Sequence, residues 1–219
     1  MNLDDLEAFD PRQGTLDQVL ATRARETGGQ IFLTHLPDGK RFTYADIDEL
    51  TRRIGNGLYM TGIARGAHVA VLMDNCSEQL LAIFGVVRSG RVAVPINSAA
   101  RGQLLKYLLS HADCSALIVE ESLLPRLLEI VEQVPLVATI FLVRVATRVL
   151  DAPVDVDRAR QAIAHRDFFE LLDAPARALE EAPSARFNEV GLMMAPCPLR
   201  SCGTSQVTKR KTVSWSPCS

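Results

Sequence analysis

The sequence has no long apolar run. A stretch such as Leu136 to Val143 is far too short to cross a bilayer, which excludes a membrane-spanning helix. It also has little net charge: −2, with a pI near 6.1, gives no basic surface for nucleic acid or an anionic membrane. No pair of its five cysteines has the C-x-x-C spacing of a metal site or redox motif. The four histidines, His35, His68, His111 and His165, are scattered and never fall at helical ligand spacing, so zinc has little support. No serine sits in a G-x-S-x-G turn, which removes the usual signature of a serine hydrolase. The opening, "MNLDDLEAFDPRQG", is acidic and lacks a basic segment followed by an apolar one, so the expectation is a soluble, cytoplasmic protein.

What the sequence does contain is a regular alternation of strand and helix signals. "HVAVLM" (68–73), "RVAVP" (91–95), "CSALIVE" (114–120) and "ATIFLV" (138–143) are apolar on both faces, as strands buried between two layers must be. Their midpoints recur every 23 or 24 residues, about the length of one strand, one helix and two short loops. That rhythm predicts a doubly wound α/β fold with a mainly parallel sheet flanked by helices.

The helix boundaries are well marked. Thr15 with Gln18, and Thr43 with Asp46, have the spacing of capping boxes. Ile47, Leu50, Ile54 and Leu58 share one stripe of the second helix, and Gly62 supplies its stop. Asn75 is expected to cap the helix that runs to Gly90, with Glu78 three residues on, and Leu104, Leu105, Leu108 and Leu109 line one face of another helix. Between Arg144 and Arg186 the pattern loosens; short helices are expected near 157–165 and 168–172. Cys76 and Cys114 lie in apolar segments and are expected to be buried. "NEVGLMM" (188–194) returns to strand character.

Several features invite a functional reading and do not support one. Gly55-Asn56-Gly57 lies within a helix, no strand precedes it, and Met60 occupies the place of a third glycine; close helix packing explains it better than dinucleotide binding. Asp46-x-Asp48 and Asp155-x-Asp157 read as solvated faces rather than metal ligands. The "DNCSEQ" turn stands where ligands bind in doubly wound sheets, after a parallel strand, although Asn75 and Ser77 also suit a helix start.

Taken together and in order, Thr43-Tyr44, Leu58, Gly62-Ile63, Gly66, Val69-Ala70-Val71, Asn75, Glu78, Gly90 and Pro95-Ile96-Asn97 resemble the opening of the adenylate-forming acyl-CoA synthetase family. The "DNCSE" turn is similar to that of the carnitine/crotonobetaine-CoA ligase branch. The resemblance covers roughly residues 12 to 143, and "NEVGLMM" extends it. Ala67-His68 and Gln103 depart from the pattern, at positions closer to structure than to chemistry. The resemblance implies a reaction of ATP with a carboxylic acid to give an acyl-adenylate, followed by thioester formation with CoA. ATP, Mg2+ and CoA are thus the implied cofactors.

The same family has a phosphate-binding loop near T-S-G-T-T-G-x-P-K-G, whose glycines let backbone N–H groups wrap phosphates while a lysine adds charge. On that pattern Gly203, Thr204 and Lys209 are the matching residues, a degenerate P-loop, and no catalytic residue or metal ligand is assigned. Cys202, Gln206 and Arg210 replace a serine and two glycines, and Ala195 to Arg200 put six residues where one belongs. A composition break coincides with this. Residues 195–219 hold Cys197, Cys202 and Cys218, the sole Trp, four Lys/Arg and no acidic residue. Two readings stay open, a decayed loop and out-of-register translation after Met194; the abrupt break favours the second. The expectation is a partial AMP-binding domain over 1–194 followed by an atypical tail, inactive as it stands and with apolar surface left open. The alternative is a non-catalytic interaction module that keeps only the half-fold.

Overall fold

Strands apolar on both faces need a helical layer on each side, and the chain supplies both. The computed structural model describes residues 14–145, 156–177 and 191–194. In order these form α1 (Leu16–Thr27), β1 (Ile31–Thr34), β2 (Arg41–Thr43), α2 (Tyr44–Met60), β3 (His68–Leu72), α3 (Ser77–Arg88) and β4 (Val92–Ile96). There follow α4 (Gly102–His111), β5 (Cys114–Glu120), α5 (Leu124–Leu128), β6 (Thr139–Val143), α6 (Val156–Ala162) and β7 (Arg166–Asp167).

The main sheet runs β4-β3-β5-β6-β7 with every neighbour parallel, so the doubly wound α/β architecture read from the spacing is present. Side chains alternate between two cores. Ala70 and Leu72 of β3 face the layer of α4, α5 and α6, where Leu105, Leu109, Leu124, Leu127 and Ala159 are buried. Val69, Val71 and Met73 face α1, α2 and α3, against Ile47, Ile54, Leu58, Ala82 and Val86. Among the described residues no helix is long and apolar enough to cross a membrane.

Local chemistry explains the helix starts. The Thr15 hydroxyl accepts the Gln18 amide and the Thr43 hydroxyl accepts that of Asp46, while the Asp46 carboxylate accepts the Thr43 amide at 2.8 Å, completing both boxes. Gly62 takes a positive φ of 81° just beyond α2 and donates to Tyr59, as the stop signal requires.

The small residues in α2 and α3 are there for contact. A Cβ on Gly85 would stand 2.5 Å from Ile54 Cγ2, and one on Gly57 would stand 2.8 Å from the Leu171 backbone. This is the close packing expected of Gly55-Asn56-Gly57; Asn56 adds side-chain bonds to the carbonyls of Pro175 and Arg177. Gly85→Ala should therefore force α2 and α3 apart and cost about 1–3 kcal/mol, the usual range for overpacking. A urea melt of the variant checks this, with an unchanged midpoint as the contrary result.

Two arginines are buried on that side of the sheet. Arg88, 4% exposed, joins three helices: it donates to Asp17 of α1 and to the Asp48 carboxylate, Asp48 carbonyl and Thr51 hydroxyl of α2. Arg91, 1% exposed, donates to the carbonyls of Ile63 and Ser89. Desolvation, with Arg65 nearby, lowers Arg91 to about 10, still charged at neutral pH.

Some expectations need correction. Asn75 does not cap α3. Cys76 is the extended residue before the helix and contributes no side-chain bond, while Asn75 stays exposed one residue too early. The Gln79 side chain holds the Met73 carbonyl at 3.0 Å, and extended backbone at Cys76 delays the first helical residue to Ser77. Cys114 is buried as expected, but Cys76 is only half-buried. The segment expected to be helical near 168–172 is a 3-10 helix, Phe168–Asp173, capped by Asp167. At six residues it is long for the tighter winding, and its buried Phe168 and Leu171, three residues apart, fall on one face of such a helix. The helix expected near 157–165 is α6, ending at Ala162.

Of "NEVGLMM", residues 191–194 are described. The Ala93 amide donates to the Gly191 carbonyl and the Met193 amide to the Ala93 carbonyl, a parallel bridge that seats this segment beside β4. The rest of that run lies outside the described residues.

Candidate functional site

In a doubly wound sheet a crevice opens where connections from adjacent strands leave in opposite directions. Here β3 returns through α3 on one face to β4, whereas β5 proceeds through α5 on the other face to β6. The switch point therefore lies beyond the carboxyl ends of β3 and β5, between the loop 73–76 and the turn starting at Glu120. The "DNCSEQ" turn forms one wall, as its position in the sequence suggested.

Glu120 spans this crevice. It is 1% exposed; its Oε2 accepts the Asp74 amide at 3.1 Å and its Oε1 accepts the Ser122 hydroxyl at 2.6 Å. Arg160 pairs with Glu121 next in sequence, and Arg126 donates to the Ser98 carbonyl from the loop after β4. The carboxylates are thus committed to holding neighbouring loops together. Asn75, Asn97 and Arg101 are exposed along the same edge.

A second polar group flanks the crevice where the β1–β2 turn meets the start of α3. Lys40 Nζ donates to Glu78 Oε1 at 3.2 Å and pairs with Asp38 Oδ2 at 3.1 Å. Asp38 also receives the Lys40 amide at 3.1 Å and faces His35 Nδ1 at 2.7 Å. Desolvation pushes Asp38 upward, but the bonds from His35 and Lys40 outweigh it and hold the carboxyl at about 2. Lys40 is raised by the same partnership, first through its bond to Asp38.

Among the described residues, neither thiol offers a nucleophile. Desolvation, reinforced by Glu78 and Glu120, lifts Cys76 to about 11, and burial lifts Cys114 to about 12. A thiol is reactive as its thiolate, so both stay dormant at neutral pH. Iodoacetamide at pH 8 followed by peptide mapping should leave Cys76 and Cys114 unmodified; rapid labelling of Cys76 would contradict that environment. Nor do three or more His, Cys, Asp or Glu side chains converge on a metal position among the described residues. Asp46 serves its capping box, and Asp48 pairs with Arg52 and Arg88. The Asp155-x-Asp157 pair lies outside the residues whose side chains are described.

Gly203, Thr204 and Lys209, the residues assigned to a phosphate loop, also lie outside the described residues. What the structure places is the approach to them. The segment 191–193 runs parallel to β4, so Met194 points toward the carboxyl edge that carries the crevice. The described crevice does not by itself fit a triphosphate, because its buried side chains Glu120 and Glu78 are carboxylates whose oxygens already accept hydrogen bonds.

Comparison with known proteins adds a family. The family model for AMP-binding enzymes matches residues 20–186. The Bacillus subtilis protein YngI, which bears the name of an acyl-CoA synthetase, is 40% identical over 82 residues, 37% of this chain and 15% of that protein. The crotonobetaine/carnitine–CoA ligase of Salmonella typhimurium is 33% identical over 91 residues, 42% of this chain and 18% of the ligase. Among solved structures, the anthranilate CoA ligase AuaEII in complex with anthranoyl-AMP superposes with a TM-score of 0.63 at 21% identity. It covers 85% of this chain and 31% of its own. The long-chain-fatty-acid-CoA ligase FadD1 of Archaeoglobus fulgidus gives 0.62 at 18% identity, over 82% and 34%. At those identities the structures speak for the fold alone. The chain spans 15–18% of the length of the curated relatives it matches.

Proposed function

The chain belongs to the AMP-binding enzyme family, and from that premise we propose that it is the amino-terminal part of an ATP-dependent acid–CoA ligase of the cytoplasm. The reaction class is activation of a carboxylic acid by ATP, giving an acyl-adenylate and pyrophosphate, followed by transfer of the acyl group to the thiol of CoA. The observation that carries the proposal is the family match over 20–186, with the bridged segment 191–193 lying parallel beside β4 just after it.

The 219 residues do not perform this reaction alone. Cys202, Gln206 and Arg210 stand where the phosphate loop needs a hydroxyl and two glycines, and a side chain at a glycine position blocks close approach of backbone to phosphate. Gly203, Thr204 and Lys209 are what is left of that loop. The domain ends at Met194, and residues 195–219 are an out-of-register tail.

Sequencing the native transcript from codon 185 through 219 and onward, in every frame, tests this. The proposal expects another frame to encode T-S-G-T-T-G and a lysine just after Met194. The polypeptide read from that frame should catalyse acid-dependent exchange of pyrophosphate into ATP. A transcript that confirms Ala195 to Ser219 and a stop would overturn the ligase reading for this chain and favour a non-catalytic interaction module.

A further inference from the structure

The β1–β2 hairpin meets the core only through partly buried side chains, Phe32 and Phe42. At its base the Phe32 ring meets Tyr44 edge to face at 5.2 Å and Phe84 of α3 at 6.2 Å. At its tip Lys40 binds Glu78 of α3. None of its strand residues is buried; Ile31 is 52% exposed, and Leu36 in the turn is 86% exposed. Segments with so few buried apolar contacts open at low cost.

The start of α3 depends on that hairpin. Its N-cap, Cys76, makes no side-chain bond, so the first turn lacks the usual cap. In its place stands Glu78, 7% exposed, with Oε2 accepting the Ser77 hydroxyl and Oε1 accepting Lys40. A carboxylate suits the positive end of a helix, but a buried one needs a cation. Lys40 supplies it from the hairpin and is itself held by Asp38. Gln79, the next residue, holds the Met73 carbonyl and so fixes the crevice loop.

We infer that the hairpin is a detachable strap whose docking sets the order of residues 73–79, so that strap and crevice wall open as one unit. Lys40 is the positioning residue of this device, and Phe32 is its hinge-side anchor. The inference rests on these contacts and stands whether or not the chain activates an acid.

Hydrogen exchange on the 219-residue chain tests it, using Lys40→Met, Lys40→Arg and Phe32→Ala. Lys40→Met should speed exchange about twofold to fivefold in both 31–43 and 74–79, the scale of a half-exposed ion pair, with β3 and β5 unchanged. Lys40→Arg should restore slow exchange. Phe32→Ala releases the strap without touching Glu78 and should still speed 74–79. If Phe32→Ala loosens only 31–43, or Lys40→Met leaves 74–79 as slow as before, the strap and the crevice wall are not coupled and the inference fails. A uniform rise across β3 and β5 would also count against it.

Discussion

Arg88→Ala should lower the stability of the chain by about 3 kcal/mol, at the low end for breaking a buried ion network. The Arg88 side chain is 2% exposed and binds Asp17 and Asp48, which are 28% and 21% exposed. Those carboxylates can rehydrate once the guanidinium is gone, which keeps the loss from being larger. Nevertheless, three helices lose their shared donor, and the Thr51 hydroxyl and the Asp48 carbonyl lose one each. Thermal melting should show a fall of roughly 6–12 °C for a chain of this size. Arg88→Lys should recover only part of it, because an ammonium cannot fork across α1 and α2. A melt within a degree of the parent would show that α1 docks without the arginine.

Phe141→Ala should do at least as much, costing about 3–5 kcal/mol as large-to-small changes of buried aromatics do. Phe141 is 1% exposed in β6 and shares its core with Ile118, Phe168 and Leu171. It pairs with Ile118 on one side and Arg166 on the other. Removing the ring would loosen both the sheet and the 3-10 helix that packs on α2. Leu36→Ala is the matched control: at 86% exposure it should change stability by less than about 0.5 kcal/mol. Equal effects from the two substitutions would mean that this face of the sheet is not the core described.

The parallel sheet was legible because strands buried on both faces leave an uninterrupted apolar run at an even spacing, from Val69 to Ile140. Caps at Thr15 and Thr43 were legible because a hydroxyl and its acceptor three residues on form a local pattern. The Asn75 cap was misread since the choice between Asn75 and Cys76 depends on how far β3 stays extended, which a tertiary bond from Gln79 to Met73 decides. The β1–β2 hairpin went unread, although Pro37-Asp38-Gly39 is a strong turn signal between the strand pieces "IFL" and "RFT". Its strands are only four and three residues long.

At the site, one wall was legible, the "DNCSEQ" turn after a parallel strand, while the strand order that completes the crevice and the roles of its residues were not. Nothing local marks Glu120 as buried and shared between Asp74 and Ser122, or Lys40 as the counter-charge of Glu78, 38 residues away. Arg88 and Arg91 likewise look like surface charges in sequence and become buried only when α1, α2 and the Ile63 turn converge. Long-range polar pairs of this kind leave no periodic trace.

We propose that this member of the AMP-binding enzyme family lacks a working phosphate cradle. The decisive experiment is titration of the 219-residue chain with ATP, with and without Mg2+, by isothermal calorimetry. No saturable binding is expected in either condition. Saturable, Mg2+-dependent binding that is lost on replacing Lys209 would contradict it, and would restore Gly203, Thr204 and Lys209 as a functioning loop.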